Sequence, residues 1–153
     1  MKSFLPSMFY YGFPVVLLTT IDKDGNADVT PISCNFTLGT NAVIALVKLN
    51  KAYHNVMEVP EVVFNLPSAE MWEKVEAIAP YTAQNPVPPQ KVGKYAYTDD
   101  KFAIGGFTQL PSEKVRVPSI AECPIQAEAV VKQVNDRGTY ALIELEFVQV
   151  HAE

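Results

Sequence analysis

Residues 14–36 read PVVLLTTIDKDGNADVTPISCNF, and their pattern decides the class of fold. Val15 to Leu18 is an unbroken β-branched and leucine run, which suits a strand buried on both faces. Asp22-Lys23-Asp24-Gly25-Asn26 is turn chemistry, because Gly25 tolerates a positive φ and the aspartates bond the backbone locally. A second strand follows and runs into the small polar cluster Ser33-Cys34-Asn35. The reading is a strand, a tight turn and a strand that delivers donors and acceptors to the mouth of a packed β-structure.

The rest of the chain extends this pattern. Val43 to Leu49 is expected as a third strand, Asn50 to Met57 as a short helix and Glu61 to Leu66 as a further strand. Ser68 to Ala79 is the best helix candidate: Ser68 suits the N-cap, and Glu70 lies where the helix dipole favours an acid. Met71, Trp72, Val75, Ile78 and Ala79 fall on one apolar face, so Trp72 is expected in the core. The segment from Pro80 to Asp100, broken by Pro86, Pro88 and Pro89, reads as a cover or interface arm. Gly105-Gly106 is expected to be a flexible point, and Val115 to Ile120 an edge strand. Ala127–Val134 and Thr139–His151 form a hairpin across Asn135–Gly138, with Ala141, Ile143, Leu145 and Phe147 on one face. About six strands, one or two helices and no regular β–α alternation make the protein mainly β, an antiparallel barrel with one or two appended helices.

Composition narrows the function. The chain has 153 residues, which fits one domain spanning 1–153. With 48% hydrophobic and 19% charged residues it can bury its own core. A net charge of −5 without any basic run argues against nucleic acid. No apolar stretch approaches the ~20 residues of a membrane span. Lys2, Phe4, Leu5, Met8 and Phe9 imitate a signal peptide, but Pro6, Gly12 and Pro14 interrupt the stretch. Cys34 and Cys123 read as reduced thiols of a cytoplasmic protein.

No metal ligand set is expected, since the two His and two Cys have no ligand spacing. A hydrolytic triad would need His54 or His151, and no nucleophile elbow accompanies them. Glu144 and Glu146 read as a solvated strand face. No GxGxxG or Walker loop occurs. What remains is a site of loop ends. Thr30 to Asn35 supplies backbone N–H groups, the Ser33 hydroxyl and the Asn35 amide. Asn50 to Asn55 supplies a helix start and the Lys51 cation, a natural phosphate receptor. A flat heteroaromatic with a phosphate tail would use both loops. Equally, Ser33 and Asn35 could close a turn while Asn55 caps a helix.

Three blocks in order, PVVLLTTIDKDGNADVTPISCNF, KAYHNVMEVPEVVFNLPS and GGFTQLPSEKVRVPSIAECPIQAEAVV, resemble the flavin reductase-like, or flavoredoxin, family. NLPS at Asn65–Ser68, ECP at Glu122–Pro124 and NPVPPQK in the proline-rich segment carry the likeness, which runs from about Phe13 to His151. The resemblance implies an FMN-binding split barrel, six-stranded with Greek-key topology, that forms a homodimer and holds FMN near the subunit interface. It implies that Ile32, Ser33, Cys34 and Asn35 line the isoalloxazine ring, and that Asn50, Lys51 and Ala52, with Asn55 nearby, meet the phosphate end. Members reduce flavin with NADH or NADPH, or carry electrons on bound FMN to a redox partner protein. Hydride goes to the flavin and the protein positions it, so no catalytic residue is assigned. Two features depart from the family pattern. Ala52 stands where relatives often carry a phosphate-binding Thr, which leaves the phosphate to Asn50, Lys51 and backbone amides. Tyr140 and Leu145 stand where many relatives have a His–Gly pattern near the nicotinamide.

The leading expectation is therefore an NAD(P)H-dependent flavin reductase. The alternatives are an FMN electron carrier and a cofactor-free ligand-binding barrel; a pyridoxamine-phosphate-oxidase-like barrel ranks lower. Lys91, Lys94, Lys101 and Arg116 are candidates for a donor 2′-phosphate.

Overall fold

The computed structural model describes residues 1, 3–6 and 9–153; Lys2 and Met8 of the signal-like stretch lie outside the described residues. Strands β1 (Val16–Ile21), β2 (Ala27–Ile32), β3 (Asn35–Leu38), β4 (Asn41–Val47), β5 (Glu61–Leu66), β8 (Ile125–Asp136) and β9 (Tyr140–Ala152) form one antiparallel sheet. Its order is β2-β1-β5-β8-β9-β4-β3. A separate two-stranded sheet pairs β6 (Gln109–Leu110) with β7 (Ser119–Ile120). The helices are α1 (Lys51–Glu58), α2 (Trp72–Ile78) and α3 (Lys101–Gly105).

The main sheet has seven strands where six were expected. The additional one is β3: Ser33 and Cys34 follow the end of β2, but a further strand begins directly after them at Asn35. They carry the chain from β2 at one edge of the sheet to β3 at the other. The two edges face each other because the sheet curls. Val16 and Leu18 of β1 share one core with Ile44 and Leu46 of β4, although three strands separate β1 from β4 in the sheet. Phe64, Ile143 and Leu145 complete this barrel interior.

β1 is buried on both faces, as its apolar run predicts. Its alternate residue Leu17 faces outward into a second core with Met71, Ile78, Phe102 and Phe107, where α2 and α3 cover the sheet. The exception in the run is Val15, which is exposed before the strand begins. The turn uses Gly25 at φ 86°, with Asp22 Oδ1 accepting the backbone N–H of Asp24 and Asn26 at 2.9 Å each.

Several expectations are corrected. Trp72 is 62% exposed rather than in the core. A 3-10 turn at Ala69–Met71 precedes α2, so the helix is not continuous from Ser68, and the change of pitch puts Met71 inward and Trp72 outward. At Gly105-Gly106 the chain leaves α3, with Gly106 as the C-cap in the left-handed conformation at φ 61°. Of the segment 115–120 only Ser119 and Ile120 pair as a strand. The preceding loop is held instead by Glu128, whose carboxylate accepts the backbone N–H of Glu113, Lys114 and Val115 at 2.9, 2.6 and 3.1 Å. The final hairpin forms as expected, with Gly138 at φ 82° in its turn. Among the described residues no helix is long and apolar enough to cross a membrane.

Candidate functional site

The structure distributes the expected site residues over different environments. Ile32 and Ala52 are buried in the barrel core, so neither side chain is offered to solvent. Asn55 is buried too; its Nδ2 donates to Thr20 Oγ1 at 3.0 Å, and it lies inside α1 rather than capping it. Ser33 is half-buried. Cys34 and Asn35 line an open cavity of about 310 Å³ with Phe9, Tyr10 and Phe13, and Asn35 Nδ2 donates to the Pro14 carbonyl at 3.3 Å. The Cys34 sulfur beside Tyr10 raises the phenol's pKa.

Asn50 and Lys51 belong to a different place. A cavity of about 480 Å³ is lined by Pro31, Val47, Asn50, Ala79, Thr82, Lys91 and Tyr95. Next to it lies a buried charge cluster. Lys101 Nζ donates to Asp28 Oδ2 at 2.9 Å, with both side chains only 1% exposed. Lys51 Nζ lies 3.8 Å from the other oxygen of Asp28, and Thr30 Oγ1 donates to Asp28 Oδ2 at 3.2 Å. Lys91 Nζ donates to Asn50 Oδ1 and to Thr82 Oγ1, the latter at 3.1 Å. Tyr97 and Tyr95 lay their rings against Lys51 and Lys91, 5.3 and 4.9 Å from the ammonium nitrogens.

The ammonium groups of Lys51 and Lys101 thus meet the Asp28 carboxylate, while Lys91, held on Asn50 and Thr82, brings a third cation to the neighbouring cavity. Burial holds the Lys101 ammonium below the usual lysine range, against the pull of Asp28, and the nearby Lys51 charge lowers it further. Burial also lowers Lys91, with the Lys101 charge adding to it. The start of α1 points the same way. Asn50 is its N-cap, but the side chain makes no cap hydrogen bond because Lys91 occupies it. A helix start without a side-chain cap, beside surplus positive charge, fits an anion.

The sequence reading found Asn50 and Lys51 but not Asp28 or Thr82, and it placed Lys91 and Lys101 only among possible donor-phosphate contacts. A lone Asp within the apolar strand β2 was the available signal, since a buried carboxylate demands a cation. Lys94 is exposed, and Arg116 binds Glu61 away from the cluster. His54 Nε2 lies 2.9 Å from the Lys48 carbonyl, and His151 Nε2 lies 2.7 Å from Glu128. Glu144 is exposed and Glu146 pairs with Lys132 on the surface at 2.9 Å. Leu145 is sealed in the barrel core, while Tyr140 is 40% exposed at the start of β9. Burial pushes the Cys123 thiol up to about 12, which leaves it unreactive.

The profile of the flavin reductase like domain matches residues 8–153. The chain belongs to the flavin reductase-like family. The Bacillus subtilis (strain 168) protein YdfE, described as uncharacterized, is 35% identical over 157 residues, covering 99% of this chain and 75% of its own. Among solved structures, flavoredoxin of Desulfovibrio vulgaris (Miyazaki F) superposes with a TM-score of 0.81 at 20% identity, over 100% of this chain and 76% of its own. The Streptomyces globisporus C-1027 NADH:FAD oxidoreductase SgcE6 gives 0.71 at 12% identity, over 92% and 76%. The flavin reductase-like chain therefore shares with both a split-barrel-like fold, and its family membership supports a flavin-related function.

Proposed function

We propose that the chain binds FMN and passes hydride to it from NADH or NADPH. The observation that carries this reading is the gathering of cations at the start of α1: Lys51 and Lys101 on the carboxylate of Asp28, and Lys91 on the uncharged Asn50 and Thr82 in the cavity beside them. A surplus of cations in a partly dry site favours a dianion. The phosphate monoester that ends FMN is a dianion at neutral pH, whereas each phosphate of the FAD diphosphate bridge carries one charge. FMN, when bound, supplies the hydride-accepting ring chemistry. The protein's share is to neutralise the phosphate with Lys51 and Lys91, to keep Lys101 fixed on Asp28 behind them and to cover the site with the segment bearing Tyr95 and Tyr97. These lysines offer the phosphate contacts that Ala52 lacks.

Leu145 supports a second reading, that of an FMN electron carrier serving a redox partner protein. It is buried where many relatives place part of their His–Gly pattern, so the position presents nothing to a nicotinamide. The homodimer expectation is supported by β3, an edge strand that leaves Phe36 and Leu38 62% and 73% exposed. Two thiols without a disulfide suit the cytoplasm.

The test is the anaerobic visible spectrum of the flavin-loaded protein before and after NADH or NADPH. Bleaching by either donor supports the reductase and identifies its donor. A flavin spectrum that neither donor bleaches favours the carrier. Failure to retain FMN or FAD removes both readings and leaves the ligand-binding barrel. Light scattering tests the dimer, which a monomeric mass would overturn.

A further inference from the structure

Trp72 is the only tryptophan of the chain, and it stands 62% exposed on a helix that turns Ile78 fully inward. Its indole walls an open, mainly apolar cleft of about 420 Å³, together with Pro14, Val15, Pro67, Ser68 and Val75. The single charged residue of that lining is Glu76. The cleft and the cation cavity both border the α2 segment and the β1–β2 pair, and two rulers relate them. Along α2, Trp72 lines the cleft and Ala79 lines the cation cavity, seven residues or about 10 Å further on. Val15, just before β1, lines the cleft; Leu17 lies two residues or about 7 Å along the chain and pairs, about 5 Å across to β2, with Pro31 of the cation cavity.

We propose that Trp72 is a ring-binding residue, the face on which the isoalloxazine of the bound flavin stacks. This rests on the flavin reading above. The cleft is open and mainly apolar with an indole in its wall, which suits a tricyclic ring. Charge sets the direction of the ligand: Glu76 repels a phosphate from the cleft, and Lys91 in the other cavity, with Lys51 beside it, attracts it there. A five-carbon ribityl chain bridges the interval. Asn35 then acts as a positioning residue, since its amide fixes the carbonyl of Pro14 in the cleft wall.

The test is equilibrium binding of FMN and of riboflavin, which lacks the phosphate, to the wild type and to W72A, W72F and K91M. W72A should raise Kd for both ligands by the same factor, about tenfold for the loss of one stacking face. W72F should recover most of that loss, and K91M should weaken FMN far more than riboflavin. Melting of W72A should match the wild type, because the indole is exposed. If FMN binds the wild type tightly and W72A leaves both constants within twofold, the assignment of Trp72 is overturned while the flavin reading stands. If the wild type binds neither FMN nor riboflavin, the flavin reading itself fails and takes Trp72 with it.

Discussion

Lys101 Nζ lies 2.9 Å from Asp28 Oδ2, joining the first turn of α3 to the start of β2 with both side chains withdrawn from water. The pair joins residues 73 positions apart and fixes the far end of the 80–100 segment against the barrel. It also sets how many cations the neighbouring cavity must accommodate.

Asp28→Asn removes the carboxylate that pairs with Lys51 and Lys101. It leaves a buried ammonium without a counter-ion and should cost about 3 kcal/mol or more. Urea denaturation at pH 7 measures it, and a loss below about 1 kcal/mol would mean that water reaches Lys101.

Lys101 also makes an alkaline prediction. Its folded pKa lies below the ordinary value of 10.5, so the unfolded chain binds more protons in the window between the two. Stability from this group therefore rises with pH through that window. Lys101→Met should flatten the rise relative to the wild type. Saturating phosphate should flatten it in the wild type as well if the cavity takes an anion, because an anion restores the proton to the folded state.

Glu128 has the opposite sign. Its side chain is fully buried, which by itself would raise its pKa; the Glu113 N–H, His151 and the N–H groups of Lys114 and Val115 outweigh that and hold it below the usual carboxylate value of 4.5. The stability it contributes is present above 4.5 and is lost as pH falls through the folded value. Glu128→Gln should cost about 3 kcal/mol at pH 7, by setting an amide against N–H donors, and should reduce the acid sensitivity of unfolding. Melting curves at pH 7 and pH 4 compare the two proteins. An unchanged acid slope would mean that the clasp does not depend on charge.

Gly105→Ala tests the packing of α3. A Cβ there would meet Phe107 Cε2 at 2.2 Å, and Phe107 belongs to the outer core with Leu17 and Ile78. The ring must move, at a cost of about 1–3 kcal/mol. Thermal unfolding checks this, and a melting point equal to the wild type would show that Phe107 yields freely.

The strands were legible because their signals are local. The β1 run, the turn at Gly25, the strand Glu61–Leu66 and the final hairpin appear in the structure because burial on two faces and turn chemistry are written in adjacent residues. Trp72 was misplaced because a single helical period was laid over a 3-10 turn joined to an α-helix, and one residue of phase decides inside from outside. The 115–120 segment resembled a strand, but a side-chain carboxylate some ten residues later replaced its ladder.

By itself, the sequence determined a mainly β barrel, its first two helices but not α3, and the resemblance that pointed to a flavin, since these depend on periodicity, turns and ordered motifs. Only the tertiary structure decided that Ser33 and Cys34 cross between the two edges of the sheet, that Asp28 gathers Lys51 and Lys101, and that Trp72 faces a cleft rather than the core. Those are relations between residues far apart in the chain. They are fixed by how the sheet curls and by the need of a buried charge for a partner, and neither leaves a mark in local spacing.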